Sequence, residues 1–143
     1  MSPSYKKTII MYACIQYNEI TSFIERNYKL KIGLKSIEQK ELEVSYKLSS
    51  FIPQISITLH IENISNDCIG LTYKSNSALE LIINGIVSFV TENVPTGVEI
   101  DTTARRVKVY PHKFEKLEKA LEFVELKDVV FDNEEIKAVL SLK

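Results

Sequence analysis

Between Ser75 and Val94 the chain reads SNSALELIINGIVSFVTENV, and a helix built from that stretch has almost no polar side. Leu79, Leu81, Ile82, Ile83, Ile86, Val87, Phe89 and Val90 wrap most of its circumference, so the rest of the chain has to cover it. Ser77 and Glu80 carry the S-x-x-E spacing of a capping box, which predicts the start. Pro95 biases Val94 away from helical dihedrals and Gly97 follows, which predicts the stop. Gly85 lies mid-helix at a cost of about 1 kcal/mol relative to alanine and fits a close backbone approach. Glu80, Asn84 and Glu92 break the run, and no segment offers the roughly 18 to 20 uninterrupted apolar residues of a membrane span.

The candidate cover is strand. Upstream, Thr8 to Ile15 is ambiguous: its β-branched residues favour a strand, while Ile9, Ala13 and Gln16 also fit helical spacing. Asn18 to Tyr28 reads as a short helix capped by Asn18, with Ile20, Phe23 and Ile24 inward. Beyond it the period shortens to two. Leu30, Ile32 and Leu34 form one strand, Leu42, Val44, Tyr46 and Leu48 a second, Ile55, Ile57, Leu59 and Ile61 a third, and Ile69, Leu71 and Tyr73 a fourth. Short polar connections make these an antiparallel meander. Val98 and Ile100 with Val107 and Val109 read as a hairpin around Asp101 to Ala104. Pro111 opens a further helix whose inner face is Phe114, Leu117, Ala120 and Leu121. Val124 to Phe131 and Ile136 to Leu142 read as a closing hairpin. The expected fold class is α+β: a curved antiparallel sheet, meander plus hairpins, wrapped around one long apolar helix, with one or two shorter helices. With no linker or repeat, residues 1–143 read as one domain, residues 1–7 being a loose tail.

Composition narrows function mainly by exclusion. Eighteen Lys and Arg against nineteen Asp and Glu leave no global field to draw nucleic acid or an anionic membrane. Cys14 and Cys68 lack CxxC spacing and read as separate thiols, though spacing alone does not forbid a disulfide. The lysines before TIIMYACI faintly imitate a secretory signal, but the run lacks leucine and a small-residue cleavage site, which predicts a cytoplasmic chain. Four scattered glycines exclude a phosphate loop. His60 and Cys68 can share one side of a hairpin, yet no further ligand completes a zinc site. His112, at a helix start, reads as solvated. No nucleophile, base or paired carboxylates assemble in the pattern, so no enzyme and no cofactor are expected. Arg105, Arg106, Lys108, His112, Lys113, Lys116 and Lys119 make a basic ridge, balanced by Glu115 and Glu118 and poor in the aromatics that single-stranded nucleic acid stacks on.

The order of elements resembles a known architecture. A short amphipathic helix, a meander, a long apolar helix and then GVEIDTTARRVKVYP is similar to small bacterial one-domain members of the tubular lipid-binding (BPI-like) superfamily. That resemblance implies non-catalytic binding of a lipid or other hydrophobic small molecule in a tunnel between the central helix and the curved sheet. Its lining would be Ile82, Ile83, Ile86, Phe89 and Val90 from the helix with Ile57, Leu59, Leu71 and Tyr73 from the sheet, each of which also reads as plain core. The polar breaks at Glu80, Asn84 and Glu92 predict no stable membrane insertion. The competing expectation is a structural or protein-interaction domain with a fully packed core, able to form homo-oligomers through its strand edges.

Overall fold

The computed structural model describes residues 9–46, 55–75 and 96–143, with backbone alone for residues 75, 115 and 116. The expected tail over 1–7 and the expected long helix, with its capping box, Gly85 and the residues Ile82, Ile83, Ile86, Phe89 and Val90, lie outside the described residues. So does Leu48.

Residues Ile10–Gln16 form strand β1, followed directly by helix α1 over Tyr17–Tyr28. Four strands come next: β2 (Ile32–Glu38), β3 (Glu41–Tyr46), β4 (Ile55–Ile64) and β5 (Ile69–Ser75). After them come β6 (Val98–Asp101), β7 (Arg106–Val109), the four-residue helix α2 (Glu115–Glu118), β8 (Val124–Phe131) and β9 (Glu135–Leu142).

The strands sort into two separate antiparallel sheets, one of three strands in the order β1-β9-β8 and one of six in the order β2-β3-β4-β5-β7-β6. This overturns the expected single curved sheet wrapped around one long apolar helix. Among the described residues the only helix longer than four residues is α1, which has twelve, and what covers the large sheet at its core is a second sheet. The expectation failed because period-two alternation marks which residues face inward but not which strand is the neighbour. β1 pairs with β9 across nearly the whole chain and joins the closing hairpin into a layer of its own.

Register carries the sequence pattern directly into packing. Across the large sheet the rows Ser36, Leu42, Leu59, Tyr73 and Ile61, Leu71, Val107, Ile100 lie on one face. The opposite face carries Lys35, Glu43, Thr58 and Lys74 in one row and His60, Thr72, Arg106 and Asp101 in another. The core forms where Leu42 and Ile61 of the large sheet meet Phe131 of the small one and Tyr17 from the head of α1, with Leu34, Val44, Leu59, Ile64, Ile69, Leu71, Val129 and Ile136 around them.

Two expected helix details are also corrected. Gln16, not Asn18, takes the N-cap position of α1, in extended conformation and without a side-chain cap. The helix expected from Pro111 breaks into a 3-10 turn at Pro111–Lys113, α2, and a second turn at Ala120–Glu122, because Phe114 between the first two is extended at φ −86° and ψ 119°. Leu117 and Ala120, expected inward, are exposed.

Candidate functional site

Every open sheet has edges, and an edge strand presents unpaired N–H and C=O groups that template another strand unless something blunts it. Among the described residues four strands occupy edge positions: β2 and β6 in the large sheet, β1 and β8 in the small one. Three of them are defended.

The outer side of β8 is closed by the turns of the large sheet. The Phe131 N–H donates to the Gln39 carbonyl at 2.8 Å, the Ser36 hydroxyl donates to the Phe131 carbonyl at 2.7 Å, and the Lys40 ammonium donates to the Val129 carbonyl at 2.7 Å while pairing with the Asp128 carboxylate. The Leu126 N–H donates to the Asn66 side-chain oxygen. β2 carries Lys35 and a register shift between Ser36 and Glu38. β6 has four residues, two of them acidic. Short length, lysine and bulges all discourage edge pairing.

β1 has none of these devices. Its sequence IMYACIQ holds no charge and no proline, and its seven-residue register with β9 runs without a shift. The hydrogen-bond phase follows from one contact. The Tyr17 N–H donates to the Glu134 carbonyl at 2.9 Å, which continues the β1 register one step beyond Gln16 and Glu135. Antiparallel ladders alternate bonded and non-bonded pairs, so Ile15, Ala13 and Met11 bond to β9, while Ile10, Tyr12, Cys14 and the Gln16 N–H turn outward. The Gln16 carbonyl belongs to the first turn of α1. Among the described residues nothing pairs that outward side.

The side chains are as open as the backbone. Ile10 is 55% exposed, Tyr12 63% and Ile15 43%, with Ile9 beside them at 52%. On α1, Phe23 is 52% exposed. Ile15, Ile20 and Phe23, with Asn18, Glu19, Ser22 and Arg26, line an open groove of about 770 Å³ at the C-terminal end of β1. Lys137 sits 5.2 Å from the centre of the Tyr12 ring, within cation–π range. Desolvation, reinforced by the neighbouring Glu135 carboxylate, raises the Cys14 thiol above its ordinary pKa.

The residues expected to bind a ligand separate from this edge. Ile57, Leu59 and Leu71 are half-buried and Tyr73 is buried, all on the apolar face of the large sheet. Leu59 lies opposite Leu42 and Tyr73, Ile57 opposite Val44, and Leu71 opposite Ile61 and Val107. Leu59 and Leu71 pack on the core cluster. Burial raises the Tyr73 hydroxyl above its usual pKa, and Arg105 partly offsets it.

The structure keeps His60 and Cys68 apart. His60 lies opposite Thr72 on the exposed face with its Nδ1 3.5 Å from Glu41 Oε1, whereas Cys68 sits in the β4–β5 turn, where its N–H meets the Ser65 hydroxyl at 3.1 Å. Both cysteines are free thiols. Among the described residues no group of three or more His, Cys, Asp and Glu side chains converges to hold a metal, and no helix is long and apolar enough to cross a membrane.

Of the basic ridge, Arg106 and Lys108 lie on the solvent face of β7 opposite Asp101 and Glu99, so their charges are balanced across the hairpin. Tyr110 continues that face, donating its hydroxyl to Glu99 Oε2 at 3.0 Å with Lys113 4.6 Å from its ring centre. The hydrogen bond to Glu99 raises its pKa. Arg106 and Lys108, with Asn63, Cys68 and Gly70, border a shallow groove of about 390 Å³.

No protein-family model, curated protein or solved structure matches the chain. The likeness to tubular lipid-binding proteins rests on element order alone.

Proposed function

We propose that this chain is a protein-interaction domain, not an enzyme, and that it receives a partner strand along β1. One observation carries the reading: of four edge strands among the described residues, β1 alone is long, uncharged, unbulged and unpaired, while β8 in the same sheet has outward groups of Leu126, Val129 and Phe131 bonded. A partner strand would satisfy the outward backbone of Ile10, Tyr12 and Cys14 and cover Ile10 and Tyr12 on one face and Ile9 and Ile15 on the other. Main-chain bonds supply the docking geometry in this mode, and alternate side chains supply selectivity.

The test is amide hydrogen exchange at single-residue resolution on the purified chain with and without its partner, beside the variant Tyr12→Glu. A partner that uses the edge slows exchange at Ile10, Tyr12, Cys14 and Gln16 while Met11 and Ala13, already bonded to β9, change little. The variant loses that protection. A bound partner that protects other surfaces and tolerates Tyr12→Glu refutes the reading.

Binding of a lipid or other hydrophobic small molecule is the second reading. It is supported by the incomplete burial of Ile57, Leu59 and Leu71, which lie on central strands of the large sheet yet are only half covered. The ligand would lie against that sheet face. Native mass spectrometry of the purified chain, followed by titration with a fluorescent fatty acid, decides it: neither a co-purifying amphiphile nor saturable binding leaves those residues as core.

A further inference from the structure

The partner strand that β1 fits best is a second β1. The geometry points to a two-fold dimer in which two copies pair antiparallel about Ala13, an inference that rests on the edge-docking reading above and names its occupant.

The phase of the ladder selects the register. The backbone groups that face outward belong to even-numbered residues, so a second strand must place even residues opposite even residues to make bonded pairs. A two-fold axis at Ala13 does this: Tyr12 lies opposite Cys14 of the other copy and exchanges both bonds with it, and the Gln16 N–H reaches the Ile10 carbonyl at each end. An axis at Tyr12 or Cys14 also pairs even with even, but it shifts the overlap off centre and leaves outward groups at one end of each strand without a partner. Pairing about Ala13 engages every outward group of β1 except the Ile10 N–H, whose opposite carbonyl, that of Gln16, is held in α1.

The side chains agree with that register. Ala13 meets Ala13 across the axis in a non-bonded pair, the closest kind at about 4.5 Å between Cα atoms, and alanine is small enough to permit it. Met11 then faces Ile15 on one side of the sheet, and Ile10 and Tyr12 face Gln16 and Cys14 on the other. Every facing pair is uncharged, so no repulsion opposes association. Ile9, 52% exposed, is carried towards the head of α1 on the other copy, where Ile15, Ile20 and Phe23 line the open groove.

The strand ends carry charge of opposite sign, Glu134 and Glu135 at the Gln16 end and Lys143 after β9 at the Ile10 end. Antiparallel pairing brings these opposite signs to the same end at about 14 Å, three strand spacings, where they favour association only weakly. A stable interface buries at least about 1,200 Å² in total, and Ile9 seated in the groove on α1 would add to what the strand pair buries. The product is a continuous six-stranded sheet in which neither β1 remains an edge.

The test uses the full chain. Light scattering across a concentration series should show the mass rising from 16.4 kDa towards twice that value, and Tyr12→Glu should hold it at the monomer; Lys137 beside position 12 gives the new carboxylate a partner within the folded monomer. In a Cys14→Ser, Cys68→Ser background, Ala13→Cys should form an interchain disulfide under air, because the Cα separation at the axis falls within the range of about 4.4 to 6.8 Å that a disulfide spans. The same background with Tyr12→Cys in place of Ala13→Cys should crosslink far less. A chain that stays monomeric at every concentration overturns the proposal. So does a dimer indifferent to Tyr12→Glu, or one in which Ala13→Cys gives no crosslink. A monomer whose β1 amides are nonetheless protected by a different protein, with protection lost in Tyr12→Glu, overturns self-pairing while leaving the edge-docking reading in place.

Discussion

The Tyr17 hydroxyl donates to the Asp132 carbonyl at 2.5 Å across 115 positions of sequence. Tyr17 is also bonded through its N–H to the Glu134 carbonyl, and its ring is one of four buried side chains in the core cluster. One residue therefore fixes the head of α1, the β8–β9 turn and the contact between the two sheets. Tyr17→Phe keeps the ring and removes the hydroxyl, and should cost about 1 to 2 kcal/mol in urea denaturation for the carbonyl left without its donor.

Alkaline pH should act on the same residue. Burial, reinforced by the Asp132 charge and partly offset by a hydrogen bond with Ser36, holds the Tyr17 hydroxyl above its ordinary pKa, and burial does the same for Tyr73. An unfolded tyrosine releases its proton near pH 10 or so, while the folded chain retains it to higher pH. The unfolded state then binds fewer protons and stability falls as pH rises. This contribution is intact below about pH 10 and lost above it. Urea midpoints at pH 8 and pH 11 should drop in the wild type and drop less in a Tyr17→Phe, Tyr73→Phe double variant.

Two phenylalanines, Phe123 just before β8 and Phe131 at its end, give an internal comparison. Phe131 is 5% exposed and Phe123 is 67% exposed. Phe131→Ala should cost about 3 to 5 kcal/mol, and Phe123→Ala should stay within about 0.5 kcal/mol. Equal losses by chemical denaturation contradict the core placed between the two sheets.

The closed edge of β8 depends partly on Asn66, whose side-chain oxygen accepts the Leu126 N–H. Asn66→Ala should destabilise by about 1 kcal/mol and speed amide exchange at Leu126. The Phe131 N–H, held by the Gln39 carbonyl, should keep its protection.

Gly97 turns the chain into β6 at φ +111°, where an added Cβ would stand 3.1 Å from the Phe114 ring and 3.3 Å from the Tyr110 carbonyl oxygen. That backbone region belongs to glycine. Gly97→Ala should therefore lower stability by about 1 kcal/mol or more, read as a shift in the urea midpoint without a change in slope.

Strand positions were legible in the residues because side-chain alternation is a local property. Ile55, Ile57, Leu59 and Ile61 against Ser56, Thr58 and His60 fix β4 and its inward face without reference to any other segment, and Val98, Ile100, Val107 and Val109 do the same for the β6–β7 hairpin. The helix expected over Asn18 to Tyr28 and found over Tyr17–Tyr28 was legible from its own local period, and the closing hairpin from its two apolar runs. The undefended edge was half legible: IIMYACIQ stands out as uncharged, but its periodicity fits strand or helix, and no local pattern says that it lies at an edge.

Partner choice was not legible. Nothing in MYACI names Leu140, Val139, Ala138, Lys137 and Ile136 as its neighbours, and nothing in Val124 to Phe131 says that this strand is sealed by Gln39, Lys40 and Asn66. Those pairings join segments 60 to 130 residues apart and depend on the whole chain closing at once. The sequence by itself determined the inward and outward faces of the strands of the large sheet, through burial energies carried residue by residue. Only the tertiary structure decided that the strands divide into two sheets and that β1 is left open, because backbone hydrogen bonds are nearly the same for every strand and the packing of Tyr17 and Phe131 on Leu42 and Ile61 selects among them.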